Sequence, residues 1–87
     1  MLQMCFAVYD KQAMAFGRPF FFPTRGMAIR TFMDEVNRPD ENSLIYKHPA
    51  DFALFYIGEF NDSDGYFTPS KNPEPVAQAI DFRNDVN

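Results

Sequence analysis

Residues 18–37 read RPFFFPTRGMAIRTFMDEVN, and the fold turns on a change of period inside that stretch. Up to Phe22 the pattern is that of a strand, with Phe21 pointing opposite to Phe20 and Phe22. Thr24 is a good helix N-cap. After it, Ala28, Ile29, Phe32, Met33 and Val36 recur three and four residues apart, the apolar stripe of an amphipathic helix. Arg25, Arg30, Thr31, Asp34 and Glu35 fall largely on the other side, with Arg30 and Asp34 spaced to pair weakly. Asn37-Arg38-Pro39 ends the helix, because proline cannot continue it. Gly26 in the first turn costs helix stability and leaves room for another backbone or a ligand.

Upstream, Leu2–Tyr9 (LQMCFAVY) reads as a strand with Met4, Phe6 and Val8 on one face and Cys5, Ala7 and Tyr9 on the other. Asp10-Lys11-Gln12 makes a turn. Ala13–Phe22 then returns as a second strand, hairpin-paired to the first, in which Gly17 and Pro19 mark a bulge or an edge. Downstream, Asp40–Ala50 reads as a polar connection, with one helical turn at His48-Pro49-Ala50-Asp51. Phe52–Phe60 (FALFYIGEF) is apolar on both faces, as a central strand is. Asn61-Asp62-Ser63-Asp64-Gly65 is a turn with glycine placed for positive φ. Tyr66-Phe67-Thr68 forms a short return strand, and Pro69, Pro73 and Pro75 punctuate a loop. Val76–Phe82 suits a short helix or a last strand, the spacing of Val76, Ala79 and Ile80 favouring the helix. Residues 83–87 are expected to fray. The sequence predicts one α+β domain over residues 1–87, of order β-β-α-β-β, with a mainly antiparallel sheet and the one amphipathic helix packed on it.

Composition narrows function. A chain of 87 residues buries only about 60% of its unfolded surface, so it needs an efficient core, a partner subunit, or both. Eleven Phe and four Tyr supply large buried areas. With aromatics on both faces and an edge strand, a homodimer is expected. The lone Cys5 argues for a reducing compartment and a buried thiol. No apolar run approaches the ~18 residues of a spanning helix, and the N-terminus lacks the pattern of a secretory signal. The expected location is the cytoplasm of the cell that makes it, without membrane association.

Nothing points to catalysis or a cofactor. One His and one Cys, far apart in sequence, cannot make a zinc site. Asp62-Ser63-Asp64-Gly65 resembles the start of a calcium loop but lacks the closing Glu and joins strands. Four scattered glycines build no phosphate loop. The adjacent acids Asp34-Glu35 and Asp40-Glu41 read as solvated surface. The expectation is a binding protein with no catalytic residues, no metal and no cofactor.

Charge is uneven within the net −4: residues 1–33 carry +3 and residues 34–87 carry −7. Single-stranded nucleic acid is held by rings that stack on bases beside cations that track phosphates. Lys11, Arg18, Phe21, Arg25 and Arg30 are therefore the candidate nucleic-acid-binding residues. The competing reading makes Phe20 and Phe22 core, packs Phe21 on a neighbour and leaves the arginines solvated.

Together, "FAVYD" (6–10), "RPFFFPTRGMAIRTFMDEVN" (18–37), "KHPADFALFYIGEF" (47–60) and "NDSDGYF" (61–67) resemble the small nonstructural protein of gokushovirus-like microviruses, which are single-stranded DNA phages. The similarity covers about residues 4–68 and is weakest after Pro69. The resemblance implies a protein encoded beside capsid and replication genes but absent from the virion. By genome position it is the counterpart of the regulator that switches related phages from duplex replication to single-strand synthesis and packaging. Its implied partners are single-stranded DNA or the phage replication proteins, in the host cytoplasm. The alternative is an interaction module that binds a phage or host protein without touching DNA, with Asp40–Asp64 as its contact surface.

Overall fold

The computed structural model describes residues 1–83. It is α+β, as the sequence predicts: five strands form one antiparallel sheet and a single long helix packs on it. Strand β1 (Leu2–Asp10) is central. One of its edges pairs with two short strands, β2 (Ala15–Phe16) and β3 (Phe20–Phe22); the other pairs with β4 (Phe52–Asn61), which in turn pairs with β5 (Tyr66–Gln78). Helix α1 (Arg25–Asn37) starts where expected, the Thr24 hydroxyl accepting a hydrogen bond from the Met27 N–H at 3.2 Å. It buries Ala28, Phe32 and Val36 against Phe6 and Leu54 of the sheet. Ala79 completes this fully buried cluster, and Met4, Val8, Phe20, Phe22, Phe52 and Tyr56 pack around it.

Several local expectations are corrected. The second strand does not run unbroken from Ala13 to Phe22. The turn extends through Met14, which takes a left-handed φ of 55°, and residues 17–19 separate β2 from β3, although the Gly17 N–H still donates to the Val8 carbonyl oxygen of β1 at 2.8 Å. Four residue steps from Phe16 to Phe20 then face three from Tyr9 to Phe6, so the strand carries a one-residue bulge. The region after Thr68 is no loop. β5 continues for 13 residues through Pro69, Pro73 and Pro75. An edge strand tolerates prolines because half of its N–H groups need no partner. The ladder absorbs the strain by slipping, its partners jumping from Pro69 at Gly58 to Glu74 at Tyr56.

Val76–Phe82 is likewise no helix: Val76–Gln78 finishes β5, and Ala79–Phe82 is a single 3-10 turn that inserts Ala79 into the core while Ile80 stays exposed. The polar connection contains a four-residue helix, α2 (Leu44–Lys47), capped by the Ser43 hydroxyl, which accepts from the Tyr46 N–H at 3.2 Å. The 3-10 turn at Pro49–Asp51 lies where expected. Arg30 and Asp34 form no ion pair; Arg38 instead bridges Glu35 at 3.0 Å and Asp40 at 3.1 Å. The Arg83 guanidinium, at the start of the stretch expected to fray, lies 4.3 Å above the Tyr46 ring and donates to the Tyr46 carbonyl oxygen. Residues 84–87, also expected to fray, lie outside the described residues.

Candidate nucleic-acid interface

Cross-strand partners share a face of a sheet, so the registers assign every paired residue to one side. Helix α1, helix α2 and the turn Ala79–Phe82 all pack on the side of Phe6 and Leu54. Among the described residues no helix covers the other side. That open face carries Tyr9, Phe16, Phe21, Phe55, Phe60 and Phe67, with the small residues Cys5, Ala7, Ala53 and Gly58 between them.

Two bulges assemble it. In β4 the partner of β1 jumps from Gly58 at Cys5 to Tyr56 at Phe6, leaving Ile57 as the extra residue. Strict alternation would put Phe60 on the helix side with Leu54 and Tyr56; the bulge turns it to the open side. The β2–β3 bulge does the same for Phe16, which would otherwise share the face of Phe20 and Phe22. Gly58 allows the first bulge. Its φ is +152°, and a Cβ there would lie 2.6 Å from the Thr68 carbonyl oxygen and 2.8 Å from Cζ of Phe67.

The rings form two groups. Tyr9, Phe16 and Phe55 meet mutually, with centroids 4.8 Å (Tyr9–Phe16), 5.3 Å (Phe16–Phe55) and 6.0 Å (Tyr9–Phe55) apart. Phe21 lies 5.6 Å from Phe60, and Phe60 is the ladder partner of Phe67. Neighbouring rings hold each other in place, yet Phe16, Phe21 and Phe67 remain 43%, 46% and 44% exposed. Cys5 and Ala7 are buried beneath them, and burial pushes the Cys5 thiol pKa up, so the thiol stays neutral.

The paired positions of this face hold no charged residue; their polar members are Gln3 and Gln78. The acids at paired positions, Asp10, Glu59 and Glu74, lie on the helix side. Asp40 and Glu41 follow α1, and Asp51 precedes β4; Asp62 and Asp64 sit at the tip of the β4–β5 hairpin. Asp51 and the hairpin tip are separated by the length of β4, about 33 Å for ten extended residues, with Glu59 on the helix side between them. The Asp40 carboxyl is held below its usual range by the Asn42 backbone N–H and by Arg38.

The five candidate residues separate. Phe21 stands on the open face. Lys11, at the end of β1, donates from Nζ to the Ala50 carbonyl oxygen and to Oε1 of Gln78, both at 3.2 Å, and so adjoins the open face. Arg18 sits in the bulge between β2 and β3 at the sheet edge, with no hydrogen bond or ion pair among the described residues. Arg25 and Arg30 belong to α1, on the opposite layer, and Arg25 lies 5.6 Å over the Tyr56 ring. The structure thus places Lys11 beside the aromatic face and Arg18 at the sheet edge, and parts Arg25 and Arg30 from that face. Sequence reasoning missed Tyr9, Phe16, Phe55, Phe60 and Phe67; Gly17 and Gly58 were the signals that could have found Phe16 and Phe60.

No helix among the described residues is long and apolar enough to cross a membrane. No curated protein and no solved structure matches the chain. A family model does match, described as Phage ORF5 protein, over residues 3–82, and the chain belongs to that family.

Proposed function

We propose that this phage protein is the small nonstructural protein of a gokushovirus-like microvirus. It acts without catalysis, as a homodimer in the host cytoplasm, regulating single-stranded DNA synthesis and packaging. It holds the single strand on the open face of its sheet. The observation that carries this reading is the set of half-exposed rings Phe16, Phe21 and Phe67 on a face with no acidic residue at its paired positions. Rings fixed by neighbouring rings offer stacking platforms, each worth about 1–3 kcal/mol per base. The net charge of −4 does not prevent this, because a Debye length of about 8 Å screens acids placed elsewhere.

Lys11 and Arg18 are the cations assigned to phosphates, so affinity is modest and chiefly from stacking. Two phosphate contacts give a slope of log affinity against log salt of roughly −1.4. The test is anisotropy of a fluorescent oligothymidylate at several salt concentrations. Phe21→Ala and Phe16→Ala weaken binding at unchanged slope, whereas Lys11→Ala with Arg18→Ala flattens the slope. Absence of binding at low salt rejects the reading.

A second reading has its own support. A face whose paired positions carry no charge resembles the core of a protein interface, and an interaction module that docks a replication or host protein there needs no DNA contact.

A further inference from the structure

The three half-exposed rings of the open face stand far apart and out of line. Phe16 lies opposite Tyr9 and Phe21 opposite Cys5, both on the same flank of β1. Four residues of β1 separate those positions, about 13 Å along the strand. Phe67 is paired through Phe60 to Gln3, so it lies two residues further along. It also belongs to β5, three strand spacings or about 14 Å across the sheet from Phe21. A straight line through any two of these rings misses the third. Rings that touch are not parallel either: Phe16 is inclined at 57° to Tyr9 and 83° to Phe55, and Phe21 at 55° to Phe60. In a stacked strand the bases are parallel and about 3.4 Å apart along one axis. A continuous stack therefore meets at most two of the three exposed rings, and bases laid on two touching rings cannot stay parallel to each other.

Resting on the single-strand reading of this face, we propose that it selects strands whose bases stack weakly on one another, thymine-rich tracts above all, and discriminates against stacked purine tracts. A base that moves onto a ring gains one aromatic contact and gives up its neighbouring bases on both sides. Thymine gives up little. Adenine gives up most, because its fused rings overlap their neighbours over a larger area. That larger area also strengthens its contact with a phenyl ring, but one contact is set against two. The polar members of the paired positions are Gln3 and Gln78 alone, so few groups are available to read base edges. Preference then follows from stacking strength and backbone flexibility.

The experiment compares three oligomers of equal length on the intact protein, by competition against fluorescent oligothymidylate at low salt. They are oligothymidylate, oligodeoxyadenylate, and an oligomer in which adenine nucleotides alternate with abasic ones. Oligothymidylate should bind about tenfold more tightly than oligodeoxyadenylate, the equivalent of about one broken base stack. The alternating oligomer carries the same phosphates and half the bases. It should nevertheless bind more tightly than oligodeoxyadenylate, at the same salt slope, because its adenines have no neighbours to leave. Phe67→Ala removes the ring that stands off the line of Phe16 and Phe21, and should narrow the preference for oligothymidylate. Equal affinities for the thymidylate and adenylate oligomers, or tighter binding of the adenylate, overturn the proposal and leave the single-strand reading standing. So do weaker binding of the alternating oligomer than of oligodeoxyadenylate, and a preference that Phe67→Ala leaves unchanged. Absence of binding by every oligomer overturns both.

Discussion

Replacement of Gly58 by alanine tests the feature that gives the sheet its aromatic face. The new Cβ lies 2.6 Å from the Thr68 carbonyl oxygen, 2.8 Å from Cζ of Phe67 and 2.9 Å from Cα of Pro69. The phenyl ring can swing aside. The other two atoms are backbone of the paired strand and yield only if β4 and β5 move apart. The φ of +152° adds strain of about 1–3 kcal/mol for a residue with a side chain. Separating the strands weakens ladder hydrogen bonds, each worth about 1 kcal/mol net. The expected loss is about 3–5 kcal/mol, a large part of the roughly 5–15 kcal/mol that holds a small domain together. Urea unfolding followed by circular dichroism measures it. Gly26→Ala is the control: nothing lies within 4 Å of its Cβ, and in the first turn of α1 alanine should stabilise by up to about 1 kcal/mol. A loss below 1 kcal/mol for Gly58→Ala, or an equal loss for Gly26→Ala, would refute the reasoning.

Other consequences are open to measurement. Phe32→Ala removes a ring 4% exposed and should cost about 3 kcal/mol, the low end for such truncations because a groove that Phe32 lines with Phe22 and Phe52 lets water reach the site; a wild-type melting temperature would exclude this packing. Burial raises the Cys5 pKa in the folded chain, so folding favours the neutral thiol. That stability is complete below the unfolded thiol pKa and declines as pH rises through it towards the folded value. The wild type should accordingly lose more stability than Cys5→Ala as pH rises above the ordinary thiol value of about 8.5, and a Cys5 thiol that reacts with Ellman's reagent at the unfolded rate would contradict the burial. For the homodimer, light scattering at high micromolar concentration should report twice the chain mass; the single-chain mass throughout would exclude it.

The sequence by itself determined the helix, because Thr24, the apolar stripe from Ala28 to Val36 and Pro39 act within a few residues of one another. It also determined the central strand at Phe52–Phe60, the turn ending at Gly65, and the outward direction of Phe21. Only the tertiary structure decided the rest. Pro69, Pro73 and Pro75 are loop signals locally, and they belong to a strand because β4 supplies a partner on the one edge that β5 needs. The spacing of Val76, Ala79 and Ile80 fits a helix, yet Val76 lies in β5 as the extra residue where the register with β4 shifts, and Ala79 reaches the core from a single tight turn. The aromatic face was hidden for the same kind of reason. A bulge shifts the alternation by one residue, and where it falls depends on the register of the opposing strand. Phe16 and Phe60 therefore change sides in a way that period-two reading of either strand cannot reveal. Lys11 and Arg18 were likewise parted from Arg25 and Arg30 by the packing of α1 across the sheet, a relation between elements distant along the chain.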